Sequence, residues 1–200
     1  ILLYNPGAFV TAGPEWAEGD TVGPGVPQQI EIRRGATVTM PDGVRRCPGD
    51  LFIGGTFVLS PTSGTELRVG GDIDNLGKIV SNAGRVIMDG TMRQRLNYSV
   101  TLHDLTIDNP AGVAVSGVCG NDAARTDSLT VNGSLNFADG HLIVGDCDGV
   151  LILNGPVSGY SDSSFIATYY GGQVWGTVER GESYQFPIGP YETSYNPVTL

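Results

Sequence analysis

The sequence predicts an all-β protein, and within that class a right-handed parallel β-helix (a β-solenoid) with capped ends. The 200 residues include 30 glycines and 12 prolines, well above the usual combined share of about 12%, so turns are frequent. Apolar and polar residues alternate in short runs, which is typical of β-strands, and no segment sustains a helical period. A short motif also recurs at the spacing of one solenoid coil.

Short strands are predicted in order from Gln29 onward, and most of them end at Gly or at Asp/Asn-Gly. They cover residues 30–32, 36–40, 51–53, 56–59, 65–69 and 77–80. The segment before Gln29 contains Pro6, Pro14, Pro24 and Pro27 and reads as loop, since proline removes a backbone donor and breaks regular elements. We therefore assign residues 1–48 to an extended N-terminal capping segment and residues 49–200 to the β-helix module.

An internal repeat supports the solenoid. Each copy is an apolar residue followed by Asp or Asn and then by Asn or Gly; the five copies begin at Ile73, Met88, Ile107, Val131 and Leu153. The last three copies are the clearest, and their spacing is much shorter than a propeller blade of about 40 residues. We expect the triplet to turn the corner of a coil through left-handed Asn, Asp or Gly. An antiparallel β-sandwich is the alternative, because two of its strands span a similar length.

Charge excludes two classes of partner. The chain has 21 acidic and 11 basic residues and a net charge of -10, so it repels the phosphates of nucleic acids and the surface of anionic lipid. No apolar run reaches the ~18 residues that a membrane-spanning helix needs.

The three cysteines leave two interpretations open. Cys119 and Cys147 are the candidate disulfide, since they lie one or two predicted coils apart and such a bond is stable in an oxidising compartment. Buried thiols are the equal alternative.

The order of several runs resembles long secreted and surface repeat proteins of the Bacteroidota. The resemblance covers about residues 50–200 and is carried by residues 55–58, 71–77, 81–90, Gln94, 105–113, 129–135, 137–140, 186–189 and 195–200. It implies export, often by type IX secretion, an extracellular or cell-surface location, and a role as adhesin, gliding-associated protein or fibre component. Because the chain lacks a sorting domain and ends in a strand-like run, we expect a processed or partial module of a longer protein.

Two pairs of acidic residues are candidate Ca²⁺ ligands. Asp72 with Asp74, and Asp146 with Asp148, stand two residues apart in glycine-rich segments, where their oxygens could bind Ca²⁺. The alternative interpretation is solvated turn residues, and we expect no other cofactor.

Residues with acid–base chemistry are few, and we predict no enzymatic activity. His103 is close in sequence to Asp104 and Asp108, and His141 to Asp139; such pairs could serve general acid–base catalysis, as in β-helix enzymes that cleave polysaccharides. No nucleophile triad, paired glutamates or phosphate-binding loop is recognisable.

Aromatic residues cluster near the end of the chain. The candidate binding residues are Tyr169, Tyr170 and Trp175, within a set that also contains Tyr160, Phe165, Tyr184, Phe186, Tyr191 and Tyr195. Exposed, they would stack on sugar rings or form a protein interface; buried, they would cap the last coil.

These observations predict a non-catalytic extracellular structural module that assembles into fibres or belongs to a large adhesin. The N-terminal apolar residues would pair head to tail with a neighbour's C-terminal strand by β-augmentation; the residues assigned to this contact are Ile1, Leu2, Leu3, Phe9, Val10, Val198 and Leu200. A monomeric adhesin that binds surface glycans is the alternative function. A polysaccharide-degrading enzyme is the least favoured of the three functions. Ice binding is disfavoured, because only Thr37 and Thr39 form a Thr-x-Thr pair.

Overall fold

The chain folds into a parallel β-solenoid of about 6 turns, seen in a computed structural model. The structure describes residues 1–19, 23–62, 64–115, 127–145, 149–169, 172–176 and 185–199. Across these ranges the regular elements are all strands, and nearly all of them pair in parallel. The predicted all-β class and the solenoid are confirmed, and the antiparallel sandwich is excluded.

The strands are short and follow one another around the coil. In chain order they are β1 (Leu2–Tyr4), β2 (Phe9–Thr11), β3 (Ile30–Ile32), β4 (Thr37–Thr39), β5 (Val44–Cys47), β6 (Leu51–Ile53), β7 (Thr56–Val58), β8 (Glu66–Val69), β9 (Ile73–Asn75), β10 (Lys78–Val80), β11 (Arg85–Met88), β12 (Gln94–Asn97), β13 (Val100–Leu102), β14 (Asp104–Asp108), β15 (Val113–Val115), β16 (Ser128–Val131), β17 (Leu135–Asp139), β18 (Leu142–Val144), β19 (Val150–Leu153), β20 (Val157–Ser158), β21 (Ile166–Thr168), β22 (Gln173–Gly176), β23 (Gln185–Phe186), β24 (Ile188–Gly189) and β25 (Val198–Thr199).

Each complete coil adds one strand to each of three flanks. Sheet A has nine strands in the order β1-β3-β6-β9-β12-β15-β18-β21-β24, and sheet C has six in the order β20-β17-β14-β11-β8-β5. The third flank is made of two four-stranded sheets, sheet B (β10-β7-β4-β2) and sheet D (β13-β16-β19-β22). Because β10 lies against β13, sheets B and D follow one another along the solenoid.

Coil length varies along the chain. Ile30 lies beside Leu51 and Leu51 beside Ile73, so the early coils are of nearly equal length. Val113 lies beside Leu142, a separation in sequence that is clearly longer than either early coil. The number of residues per coil therefore differs along the chain, and the pairing register of later strands cannot be extrapolated from a fixed period.

The core is a set of stacked aliphatic columns inside the coil. Ile30, Leu51 and Ile73 occupy successive positions of sheet A, and Leu105 and Leu135 do so on sheet C; all five are buried. Burying such a side chain contributes about 1.5–3 kcal/mol, so every added coil extends the core by one layer.

The repeated triplet works differently from our expectation. Its five final residues are Asn75, Gly90, Asn109, Gly133 and Gly155, and none of them has a positive φ. Instead, a Cβ at Gly155 would overlap the carbonyl oxygen of Gly133 in the neighbouring coil. The expected left-handed corner is wrong for these triplets. Glycine is needed at 155 because the Gly133 backbone approaches closely, and at 133 because a Cβ would overlap the side chains of Asp104 and His103.

The sheets continue into the N-terminal segment. Strands β1 to β5 lie within residues 1–48 and pair with β3, β4, β6, β7 and β8. The segment that the sequence assigns to an extended cap thus contributes strands to sheets A, B and C.

Candidate binding surfaces

The N-terminal end of the solenoid exposes apolar side chains on two edge strands. β1 and β2 are the terminal strands of sheets A and B, and no described strand pairs with their outer edges. Ile1 is 83% exposed and Phe9 is 85% exposed, while Leu2 packs against the core. Val10 lies beside the buried Val38, yet it stays partly exposed. The N-terminal residues predicted for assembly therefore lie on or directly beside the two edge strands at one end.

Trp16 covers part of the core at this end of the solenoid. Its buried position was not predicted from the sequence. Its side chain is 1% exposed and stacks on Phe57 of β7, with ring centroids 6.1 Å apart. Its indole Nε1 donates a 3.0 Å hydrogen bond to the carbonyl oxygen of Arg46 on β5. The signal that could have found it is one large aromatic residue within a proline-rich loop, because tryptophan is highly buried on average.

The C-terminal end carries an antiparallel pair and an apolar groove. β23 and β25 pair through Phe186 and Val198, and the backbone N–H of Asn196 donates to the carbonyl oxygen of Ile188 on β24. A groove of about 500 Å³ opens here, lined by Val174, Trp175, Gly176, Phe186, Ile188 and Val198. Val198 thus lies at the predicted assembly end; Leu200 lies outside the described residues.

Four of the late aromatic residues lie at the outer side of sheet A: Phe165, Tyr169, Tyr191 and Tyr195. Phe165 is buried with Ala114, Ile143 and Ala167, and the rings of Phe165 and Tyr195 lie 5.1 Å apart. Tyr169 meets Tyr191 edge to face at 5.1 Å. Tyr169 therefore helps to cover the outer side of sheet A. Trp175, in contrast, is 62% exposed and lines the groove. Tyr170 and Tyr184 lie outside the described residues.

The outward side chains of β2, β4, β7, β10, β13, β16, β19 and β22 form a surface that we call the B/D face. On sheet B, one column consists of Phe9, Thr37, Thr56 and Lys78, and its neighbour of Thr11, Thr39, Val58 and Val80. On sheet D, the columns are Ser128, Val150 and Gln173, and Thr101, Thr130, Ile152 and Trp175. Hydroxyl and methyl groups dominate, and Lys78 is the one charged side chain at these positions.

The outer side of sheet C contrasts with the B/D face because it is charged. Asp89 accepts hydrogen bonds from both terminal nitrogens of Arg46, at 3.2 Å for the Nη2–Oδ1 pair, and lies 3.6 Å from Arg68. Arg68 also contacts Glu66 at 3.0 Å. Charge in this acidic protein is thus segregated away from the B/D face.

The candidate Ca²⁺ ligands that can be placed hold neighbouring coils together. Oδ1 of Asp72 accepts the backbone N–H of Arg95 at 2.8 Å, and Oδ1 of Asp74 accepts from the Asn97 amide at 2.7 Å. Within the described ranges, no three His, Cys, Asp or Glu side chains come close enough together to hold a metal ion. Asp146 and Asp148 lie outside those ranges.

The acid–base candidates do not form one cluster: His103 lies beside Asp104, Asp108 pairs in register with Asp139 on the next strand of sheet C, and His141 packs elsewhere. Nδ1 of His103 lies 3.2 Å from Oδ2 of Asp104, whose Oδ1 accepts from the backbone N–H and the hydroxyl of Ser134, each at 2.7 Å. The Ser134 hydroxyl therefore donates to the carboxylate of Asp104 and not to an imidazole. A catalytic serine donates to the imidazole of a histidine, so this arrangement does not activate Ser134. His141 packs edge to face on Phe165, and burial lowers its pKa.

The cysteines can be described only in part. Cys47 is a free, buried thiol on the inner side of β5, and burial raises its pKa to about 12, which makes it a poor nucleophile. Cys119 and Cys147, the candidate disulfide, lie outside the described residues, and their pairing stays a prediction.

Comparisons with known proteins add no family. No protein-family model, no curated protein and no solved structure matches the chain. Within the described part of the chain, no helix has the length and apolar character needed to cross a membrane.

Proposed function

We propose that the chain is a non-catalytic structural module of the cell surface or extracellular space, which assembles end to end with further copies of itself. The observation that supports this function is the pair of apolar edge strands at the N-terminal end. Unpaired strand edges are templates for another chain, and exposed side chains such as those of Ile1 and Phe9 add an apolar driving force.

The direction of the strands favours a head-to-tail contact. Strands within sheet A run parallel, so its two ends present edges related by translation along the solenoid. A contact between unlike ends does not close on itself and builds a filament. The groove lined by Trp175 and Val198 is apolar, and burial of a side chain such as Phe9 within it would contribute about 1.5–3 kcal/mol.

Electron microscopy together with light scattering tests this function. We expect concentration-dependent filaments from the wild-type chain and monomers from Phe9→Lys, because a buried ammonium group without a partner is unfavourable. Met92→Lys is the matched control, since Met92 is 78% exposed but lies at a mid-solenoid corner between β11 and β12.

A mixing experiment tests the head-to-tail geometry itself. Phe9→Lys blocks one end and Val198→Lys the other, so each variant alone should be monomeric and an equimolar mixture should yield dimers that grow no further. Wild-type chains that stay monomeric at every concentration, or filaments that persist in Phe9→Lys, would overturn the proposal.

A monomeric glycan-binding adhesin is the second candidate, favoured by the exposure of Trp175. A polysaccharide-degrading enzyme has weaker support, because both oxygens of Asp104 already have partners in Ser134 and His103. A reducing-sugar assay on neutral and acidic polysaccharides would reveal such activity directly.

A further inference from the structure

We propose that the B/D face binds a single chain of a neutral polysaccharide, lying along the axis of the solenoid. This site shares Phe9 and Trp175 with the proposed contact between the ends of the chain, and its other residues lie between those two ends. The inference rests on the charge, dimensions and chemistry of the face.

The charge of the face selects an uncharged partner. The chain carries a net charge of -10. Lys78 is nevertheless the only charged residue at the outward positions of the eight strands in sheets B and D. A carboxylated or sulfated polymer would need several basic groups to offset its own charge, and a basic partner would find no carboxylate on this face. Neutral partners lose the least free energy of solvation here, because few ions are desolvated.

The dimensions of the face fit a polymer chain better than a protein. Eight strands at about 4.8 Å spacing give a strip about 38 Å long, and two outward columns make it about 10 Å wide. Such a strip covers roughly 400 Å², about half of the ~800 Å² that each partner buries in a standard protein interface. A second copy of the chain would therefore be held weakly by this face, whereas an extended sugar polymer would be contacted along its length.

The side chains on the face match the two kinds of group that a sugar presents. Thr37, Thr39 and Thr56 each offer a hydroxyl that donates and accepts, together with a methyl group. Hydroxyls suit the sugar hydroxyls, and methyl groups suit the apolar C–H sides of the rings. None of these three threonine hydroxyls has a hydrogen-bond partner among the described side chains.

Aromatic rings stand at both ends of the strip. Phe9 heads the column that continues with Thr37, and Trp175 ends the column that contains Ile152. The indole Nε1 of Trp175 donates a 3.1 Å hydrogen bond to Oε1 of Gln173 on the same face, which restrains the ring. Protruding rings and the long Lys78 side chain interrupt a flat lattice contact such as ice would need, but they can stack on sugar rings.

Pull-down on insoluble polysaccharides tests the site. We expect the wild-type chain to bind microcrystalline cellulose, chitin or a β-1,3-glucan at least tenfold more tightly than alginate or pectate. Thr101→Glu, on the exposed face of β13, should reduce this binding at least tenfold, because the new carboxylate is desolvated without a partner. Thr91→Glu is the matched control, since Thr91 is also exposed but lies at a coil corner.

Two further variants keep the result interpretable. Thr130→Glu, in the same column as Thr101, repeats the test if Thr101→Glu fails to fold, with circular dichroism as the check. Val198→Lys, which blocks end-to-end assembly but lies off the face, should retain binding per chain, so failure of assembly and failure of this site are distinguishable.

Several results would overturn the inference. They are equal binding to neutral and acidic polymers, no binding to any of the neutral polymers, or equal loss in Thr91→Glu and Thr101→Glu. One result would assign the face to ice instead. In that case the wild-type chain inhibits ice recrystallisation without binding polysaccharide, and Thr101→Glu abolishes the inhibition.

Discussion

The side-chain amide of Asn109 donates a 2.9 Å hydrogen bond to Oε1 of Gln94, and both side chains are buried. The same Oε1 accepts the backbone N–H of Gly90, while Nε2 of Gln94 donates to the carbonyl oxygens of Val69 and Gly71. Gln94 thus joins neighbouring coils at the corner between sheets C and A. Gln94 therefore has a structural role, because unpartnered groups in a buried polar network are costly.

Replacing Gln94 by alanine is expected to destabilise the solenoid by about 2–4 kcal/mol. The change leaves the Gly90 N–H and the Gly71 carbonyl oxygen without the partner that Gln94 supplies, whereas the Val69 carbonyl oxygen still accepts from the Asp89 N–H. Each unsatisfied group costs about 1–3 kcal/mol. Urea denaturation followed by circular dichroism measures the free energy of unfolding. Gln28→Ala is the control, since Gln28 is exposed; equal losses in the two variants would contradict the assigned role.

Much of the fold follows from local pattern in the sequence. The predicted runs at residues 30–32, 51–53 and 56–59 correspond to β3, β6 and β7, because alternation along a strand decides which side chains face inward. The triplets beginning at Val131 and Leu153 correctly indicate one coil, and Leu129 lies beside Leu151 in the structure.

The surfaces were less predictable, because they depend on register between coils. Alternation predicts that Thr37 and Thr39 face outward, but the sequence assigns Thr11 to a loop, and only the structure places Thr11 beside Thr39. The longer coil between Val113 and Leu142 breaks any constant period. The threonines of the B/D face therefore show no regular spacing in the sequence, although they lie in columns in the structure.

Trp16→Ala is expected to lower the free energy of unfolding by about 3–5 kcal/mol, as for other large aromatic residues removed from a core. Trp16→Phe should cost less, because it keeps an aromatic ring to stack on Phe57, although it loses the hydrogen bond to the Arg46 carbonyl and part of the buried ring volume. The measurement is thermal or urea denaturation of each variant.

Fluorescence provides an independent check on the same residue. The chain has two tryptophans, so Trp175→Phe leaves Trp16 as the single emitter. We expect its emission to be blue-shifted and poorly quenched by iodide, whereas Trp16→Phe should leave a red-shifted, readily quenched Trp175. Equal quenching of the two would contradict the burial of Trp16.

Two aspartates should give opposite dependences of stability on pH. Burial alone would raise the pKa of Asp104, but hydrogen bonds from the Ser134 backbone and hydroxyl, together with His103, hold it below the usual value of 3.8. Burial, assisted by Asp50 and Asp74, instead raises the pKa of Asp72 above that value, against the opposing hydrogen bond from Arg95.

The sign of each effect follows from linkage between protonation and folding. Folding favours ionised Asp104, so its contribution is present above the unfolded pKa and is lost as the pH falls through the folded pKa. Folding disfavours ionised Asp72, so its penalty is present at neutral pH and disappears as the carboxyl is protonated. At about pH 7 we therefore expect Asp104→Asn to be less stable and Asp72→Asn more stable than the wild type. Both differences should shrink on acidification to about pH 3, as urea titrations at each pH would measure, and differences of the same sign at neutral pH would contradict the opposed environments of the two carboxylates.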